Sequence, residues 1–74
     1  MEGDLQRTVG ENLRAHREAL GVDQESFAHS LGLHRTYVGS IERGERNLSL
    51  KKVEWLAARL DIEPLDLLVR PSRR

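Results

Sequence analysis

The chain has 74 residues, enough for one small domain that buries only about 60% of the surface its unfolded chain would expose, so its core must be thin. No cysteine is present to form a disulfide and the three histidines lack the neighbouring ligands of a zinc motif, which leaves helix packing and self-association as sources of stability. The formal net charge of +0 combines an excess of acids in residues 1–30 with an excess of basic residues in 31–74, and the longest apolar run, at 55–58, is far too short to span a membrane.

The first two predicted helices are amphipathic and end at glycines. Val9, Leu13 and Leu20 recur at helical spacing, which predicts a helix over residues 6–20 that stops before the glycine at position 21. Asp23 then supplies a carboxylate N-cap for a second, shorter helix that ends at Gly32. The apolar face of this second helix comprises Phe27, Ala28 and Leu31.

Three further helices are predicted in the second half of the chain. One covers residues 35–43, with Val38 and Ile41 as its core pair and Gly44 as its terminator. Ser49 caps the next helix, and Pro64 suits the first position of a last helix over residues 64–69. No segment alternates as a strand would, so the predicted fold class is all-α with five helices, followed by frayed residues 71–74. The apolar stripe of the fourth helix comprises Leu50, Val53, Leu56, Ala57 and Leu60.

The third predicted helix presents an unusual polar face. At about 100° per residue, Val38 and Ile41 define its buried side. Arginine can pair in bidentate fashion with guanine, and hydroxyls can serve bases or phosphates, so such a face suits a DNA groove. Glycine inside a helix costs about 1 kcal/mol of stability relative to alanine. Its presence at position 39 therefore indicates that a side chain there would be unfavourable for another reason. A solvated face, with a glycine that packs against the second helix, is the alternative. The face comprises Arg35, Thr36, Gly39, Ser40 and Arg43.

The second and third helices, with the turn LGLH between them, form a predicted helix-turn-helix over about residues 23–43. The run DQESFAHSLGLHRTYVGSIERGERNLSLKKVEWLAARLDIEPLDLL resembles the lambda-repressor-like helix-turn-helix family. Within it, LHRTYVGSIERGERNLSL is most similar to controller proteins that regulate restriction-modification operons. The resemblance covers residues 9–69 and implies one compact five-helix DNA-binding domain over residues 1–74.

The resemblance implies DNA-contact roles along this segment. Gln24 opens the first motif helix and either reaches a phosphate or braces the recognition helix, unless it is only an exposed residue of the first turn. Arg35 and Thr36 begin the recognition helix and read bases, with simple attraction to a phosphate as the alternative for Arg35. Tyr37 either packs in the core or presents its hydroxyl at the groove edge. The residues in the following loop and cap lie along phosphates, unless they are only a surface turn. The complete set is Gln24, Arg35, Thr36, Tyr37, Ser40, Arg43, Arg46, Asn47 and Ser49.

The resemblance also implies a structural ion pair between Arg17 and Glu42, which ties the first helix to the end of the recognition helix. Two residues depart from the family pattern. His34 occupies a cap position where the family commonly has Ser, Thr or Asp, so the recognition helix is either capped less well or has a histidine that faces a phosphate. His16 replaces a core residue that is usually apolar. Neither replacement removes a residue expected to contact the DNA groove, so both bear on the stability of the domain more than on DNA binding.

The last predicted helix, at about residues 63–69, carries more apolar side chains than so thin a domain can cover. Its exposed apolar surface predicts a two-fold homodimer, which would set two recognition helices about 34 to 36 Å apart on an inverted repeat. Trp55 either joins this interface or lies on the surface beside Lys51 and Arg59. The predicted interface comprises Ile62, Leu65, Leu68 and Val69.

These features favour a soluble, cytoplasmic, dimeric transcription regulator that binds double-stranded DNA in a sequence-specific way. No cofactor, metal, membrane or small-molecule ligand is expected, and a restriction-modification operon is the implied target. An antitoxin or a phage-type repressor is the alternative within DNA binding, and a small helical protein-interaction module is the alternative outside it. An enzyme is not expected, because the close acid pair Glu63 and Asp66 has no accompanying base or pocket.

Overall fold

The computed structural model describes residues 4–70, which form five α-helices. These are α1 (Asp4–Leu20), α2 (Gln24–Leu31), α3 (Arg35–Glu42), α4 (Leu50–Leu60) and α5 (Pro64–Leu68). The all-α prediction and the order of the five helices are confirmed, with ends shifted by one or two residues. The expected fraying of residues 71–74 lies outside the described part of the chain. No helix within residues 4–70 is long and apolar enough to cross a membrane.

A single cluster of buried apolar side chains holds the helices together, and every helix contributes to it. The helices bury those side chains because their apolar positions recur at helical spacing and so share one face. Most of the predicted apolar positions are therefore confirmed. Among the most deeply buried residues, one from each helix in chain order, are Leu13, Phe27, Val38, Leu56 and Leu67.

Two leucines predicted on the apolar faces are instead exposed. Leu20 is 58% exposed and Leu50 is 75% exposed, so their assignment to the core stripe was wrong. Leu20 is the last residue of α1 and Leu50 is the first of α4. Periodicity identifies the side of a helix on which a residue lies, but a residue at a helix end is buried only if a neighbouring helix extends that far.

Side chains cap three of the helices at their N-termini. The Asp23 carboxylate accepts a hydrogen bond from the backbone N–H of Ser26 at 2.7 Å, which lowers the pKa of Asp23. His34 caps α3 as well, because its Nδ1 accepts from the N–H of Thr36 at 3.2 Å. Ser49 Oγ accepts at 3.0 Å from a backbone N–H of α4. The histidine thus performs the capping task that a hydroxyl or carboxylate usually has.

The crossing of α1 over the C-terminal end of α3 depends on glycine. A Cβ at Gly10 would overlap the backbone carbonyl oxygens of Ile41 and Glu42. Gly44 has a φ of +75°, and a Cβ there would lie 3.1 Å from the Cα of Arg7. These two contacts fix where α3 ends relative to α1.

The short helix α5 is held against α1 by hydrogen bonds from one side chain. Asn12 Nδ2 donates to the carbonyl oxygens of Leu67 and Val69, at 2.9 Å each. The other end of α5 is closed by Asp66, whose carboxylate accepts from the backbone N–H of Glu63 at 3.2 Å. Five residues are too few for a stable isolated helix, so these tertiary hydrogen bonds and the burial of Leu67 hold α5 in place.

Candidate nucleic-acid interface

The outward side of α3 forms a shallow cleft with the start of α2. Arg35 and Thr36 are exposed in the first turn of α3, and Arg43 lies at its other end. Gln24 and Gly39 complete the lining of the cleft. The structure therefore brings together four of the predicted DNA-contact residues and the glycine between them, on the side opposite the core pair.

Gly39 provides room for two side chains of the protein itself. A Cβ at this position would lie 3.2 Å from Arg43 Nη1 and 3.4 Å from Gln24 Oε1. The guanidinium group of Arg43 thus lies back over the helix, in the space that an alanine methyl group would narrow. The absence of a side chain at position 39 thus leaves room for these two groups, which a methyl group would displace by a few tenths of an ångström.

Gln24 braces the recognition helix. Its Nε2 donates to Glu42 Oε1 at 3.0 Å, and its side chain is half-buried. Of the roles that the sequence left open, this is the one that the free protein adopts. The amide oxygen remains beside Gly39 at the floor of the cleft.

The pair expected between Arg17 and Glu42 is present and buried. Arg17 Nε donates to Oε2 at 2.8 Å and Nη2 donates to Oε1 at 3.1 Å, while Nη1 reaches the carbonyl oxygen of Val22 at 3.0 Å. The side chains are only 14% and 3% exposed. The hydrogen bond to Glu42 raises the pKa of Arg17. This pair joins α1, the α1–α2 turn and α3 into one unit.

A second pair, between Arg43 and Glu45, lies at the edge of the cleft and was not anticipated. Arg43 Nε donates to Oε2 at 3.0 Å and Nη2 donates to Oε1 at 3.1 Å. The side chains are 59% and 57% exposed. The hydrogen bond from Arg43 lowers the pKa of Glu45. The helical wheel missed Glu45 because the residue lies beyond Gly44, where the helix has already ended.

Ser40, Tyr37 and Arg46 form a connected group on the flank of α3. Ser40 Oγ donates to the carbonyl oxygen of Tyr37 at 2.7 Å and accepts from Arg46 Nε at 3.2 Å. The Arg46 guanidinium carbon lies 4.8 Å from the centroid of the Tyr37 ring, within the range of a cation–π contact. Ser40 is half-buried, and its hydroxyl is engaged in positioning Arg46. The sequence had instead placed this hydroxyl on the exposed face of α3.

Cations on α4 continue this flank. Lys52 Nζ lies 5.6 Å from the centroid of the Tyr37 ring and 4.5 Å from that of Trp55, and Arg59 lies 5.3 Å from Trp55. Trp55 is exposed and is flanked by these cations of its own chain. Sequence reasoning missed Lys52, although its spacing of three residues from Trp55 would have placed both on one helix face.

The loop between α3 and α4 adds further polar groups beside the cleft. Asn47 is exposed, and Ser49 is occupied as the cap of α4. Arginine and lysine side chains predominate on the surface formed by α3, this loop and α4. Basic residues outnumber the exposed acids Glu45 and Glu54 of the same segments, and such an excess of positive charge attracts polyanions. The basic residues are Arg35, Arg43, Arg46, Lys51, Lys52 and Arg59.

Comparisons with known proteins agree with this geometry. A family model described as helix-turn-helix matches residues 13–67. The chain is 42% identical over 67 residues to the control protein C.SmaI of Serratia marcescens, which covers 90% of this chain and 80% of that protein. The family model thus matches more than half of the chain, and the alignment with C.SmaI covers most of both proteins.

Solved structures give the same answer. The restriction-modification controller protein C.AhdI from Aeromonas hydrophila superposes with a TM-score of 0.71 at 48% identity, over 84% of this chain and 94% of that one. The controller protein C.Esp1396I, solved as a tetramer in complex with its natural 35 base-pair operator, superposes with a TM-score of 0.72 at 31% identity, over 86% of this chain and 84% of that one. The chain therefore belongs to the helix-turn-helix family, where its relatives include restriction-modification controller proteins.

Proposed function

We propose that this protein is a sequence-specific transcription regulator that binds an inverted-repeat operator as a homodimer and controls a restriction-modification operon in the cytoplasm. The observation that carries the proposal is the exposure of Arg35 and Thr36 at the first turn of a capped helix, beside the cleft that Arg43 also lines. The operator complex of C.Esp1396I supports it, because that relative has the same fold. We assign the protein no catalytic activity and no cofactor.

In this proposal the N-terminal end of α3 enters the major groove of the DNA. Arg35 offers a free guanidinium group for the O6 and N7 atoms of a guanine, and Thr36 offers a hydroxyl beside it. Arg43 reads from the other end of the same face. The domain formed by α1 to α5 acts as one DNA-binding unit, with its helix-turn-helix at about residues 23–43.

Phosphate contacts come from the flank of α3 and from the loop that follows. Arg46 is positioned by Ser40 and by the Tyr37 ring, and no carboxylate neutralises it among the contacts of the described residues. Asn47 lies exposed next to it, and Ser49 begins α4, whose N-terminal dipole favours an anion. Gln24 contributes mainly by bracing α3.

Titration with duplex DNA tests the proposal. A preferred duplex is first selected from a random pool, and we expect an inverted repeat. The logarithm of the association constant should fall linearly with the logarithm of the salt concentration, with a slope of about −0.9 per phosphate neutralised. Arg35→Ala should cost about 1 to 3 kcal/mol on the preferred duplex and much less on others. Arg14→Ala is the matched control, since Arg14 is an exposed arginine of α1 outside the cleft.

Two results would overturn the proposal. One is the absence of preference among duplexes at any ionic strength. The other is binding that neither salt nor Arg35→Ala weakens, which would instead fit a small helical protein-interaction module.

The proposed dimer surface centres on α5. Leu65 is 66% exposed and Val69 is 59% exposed, while Ile62 and Leu68 are half-buried against the core. Leu68 also lines an apolar groove whose rim carries the exposed side chains of Leu5 and Leu50. We therefore extend the proposed interface from α5 towards the first residues of α1 and α4, because contiguous exposed leucines are costly to leave in water.

Sedimentation velocity tests the dimer surface. Leu65→Asp should convert the protein to a monomer and lower operator affinity, because a carboxylate cannot be buried unpaired between two subunits. Its helicity by circular dichroism should remain that of the wild type. Leu20→Asp is the matched control, since Leu20 is 58% exposed and lies at the C-terminal end of α1. A dimer that persists in Leu65→Asp would contradict the assignment.

A further inference from the structure

The backbone of Glu45 is fixed with respect to the recognition helix. Gly44 N donates to the carbonyl oxygen of Ile41 at 2.9 Å, and Glu45 N donates to that of Ser40 at 2.9 Å. With Gly44 in the left-handed conformation, these two bonds form the Schellman closure that ends many helices. The carboxylate of Glu45 therefore projects from a fixed point just beyond the last turn of α3.

Glu45 holds only one edge of the Arg43 guanidinium group. Its two oxygens accept from Nε and Nη2, which uses two of the five N–H donors. The remaining donors belong to Nη1 and to the second hydrogen of Nη2. Nη1 lies over Gly39, inside the cleft that Arg35 and Thr36 also line. The edge left free is one that can donate two parallel hydrogen bonds to a planar acceptor pair.

The environment of Arg43 differs from that of the other cations near the cleft. Arg46 is paired with a tyrosine ring and a serine hydroxyl, both of which leave its positive charge intact. Arg43 is paired with a carboxylate, so the pair carries no net charge. A phosphate at the free edge would be repelled by that carboxylate and would gain little from a pair without net charge, whereas a guanine offers two neutral acceptors that fit the same edge.

We propose that Glu45 is a specificity-determining residue of the DNA surface: it neutralises and orients Arg43, so that this arginine recognises a base and adds little to general attraction for phosphates. Glu45 acts through Arg43 and is a positioning residue. The inference rests on the proposed function, since it concerns how the same surface separates an operator from other DNA.

The test compares Glu45→Gln with the wild type on the selected operator and on a duplex of scrambled sequence, over a range of salt concentrations. The amide removes the negative charge and frees Arg43 for phosphates. We expect tighter binding to the scrambled duplex, with a salt slope steeper by about one unit. We expect the ratio of operator to scrambled affinity to fall about fivefold or more, a loss at the lower end of what a bidentate arginine–guanine pair contributes.

Two controls separate this role from a general effect of charge. Glu18→Gln makes the same charge change in a similarly exposed pair, in which Arg14 Nε lies 3.0 Å from Glu18 Oε2 on α1. It should leave the affinity ratio unchanged. In an Arg43→Ala background, Glu45→Gln should no longer alter the ratio beyond what Glu18→Gln does, because the residue through which Glu45 acts is gone.

The outcomes distinguish the two proposals. If the wild type prefers its operator but Glu45→Gln changes the ratio no more than Glu18→Gln does, or changes it equally with and without Arg43, the role of Glu45 is overturned. If the wild type itself has no preferred duplex, the proposed function fails first and this inference fails with it.

Discussion

Two arginine–glutamate pairs lie on either side of the end of α3, and they differ in almost everything except geometry. Both are two-point pairs, with bond lengths of 2.8 and 3.1 Å for Arg17–Glu42 and 3.0 and 3.1 Å for Arg43–Glu45. The first is nearly enclosed by protein, whereas the second is more than half exposed. Exposure to solvent, more than distance, decides what an ion pair contributes.

The enclosed pair is structural. Glu42 accepts three hydrogen bonds, two from Arg17 and one from Gln24, so its buried charge is fully partnered. Three segments of the chain converge on this carboxylate. Removing a partner would leave a charge in a poorly solvated place, which costs far more than the pair itself contributes.

The exposed pair has little effect on stability, because water and salt screen it. The same exposure leaves the outer edge of the Arg43 guanidinium group accessible to DNA while Glu45 holds the other edge. Glu42, which stabilises the fold, and Glu45, which we propose as a specificity residue, are thus close in sequence. Only the turn at the end of α3 separates them.

The largest expected effect comes from breaking the enclosed pair. Arg17→Met should lower the free energy of unfolding by about 3 kcal/mol, because it leaves the Glu42 carboxylate without its charged partner. Urea denaturation followed by circular dichroism measures this. Glu45→Gln, which breaks the exposed pair, should unfold at the wild-type midpoint. Equal midpoints for Arg17→Met and the wild type would show that burial of the Arg17–Glu42 pair does not make its loss costly to stability.

A smaller effect is expected from the third donor to the same carboxylate. Gln24→Ala removes one hydrogen bond to a charged group and should cost about 1 kcal/mol of stability. Gln24→Glu should cost more, because a second carboxylate cannot donate and would repel Glu42. We expect the denaturation midpoint to be highest in the wild type, lower in Gln24→Ala and lowest in Gln24→Glu. A reversed order of the two variants would contradict the bracing role.

The smallest expected effect is on titration of the exposed pair. The hydrogen bond from Arg43 lowers the pKa of Glu45 below its ordinary value of 4.5. The contribution of the pair to stability is therefore complete above that pH and is lost as the pH falls through the lowered pKa. Carbon-detected NMR of the Glu45 carboxyl should show its pKa rising towards 4.5 in Arg43→Ala. Identical titration curves in the two proteins would rule out the pair in solution.

Much of the fold could be predicted from the sequence, because its determinants are local. Gly32 and Gly44 end helices where only a left-handed conformation fits, and Asp23 and Ser49 begin helices through their own side chains. The exposed position of Arg35 and Thr36 also followed from helical spacing alone. The pair Arg17–Glu42 was available only through resemblance to the family, since 25 residues separate its members.

Other features of the candidate site could not be predicted in this way. Periodicity did not reveal that Leu50 projects past its neighbours, that Ser40 is engaged by Arg46, or that Gly39 accommodates a guanidinium group. Each of these depends on where a second segment of the chain lies. A one-dimensional pattern has no information about that segment.

Local sequence features suffice for the five helices, their ends and the polar face of α3, because dihedral preferences, caps and spacing act over a few residues. Tertiary contacts, in contrast, set which charges are enclosed and which meet solvent. Burial depends on the approach of distant helices, such as the close crossing of α1 at Gly10 over the end of α3. That crossing makes Glu42 a structural residue and leaves Glu45, three positions later, at the surface.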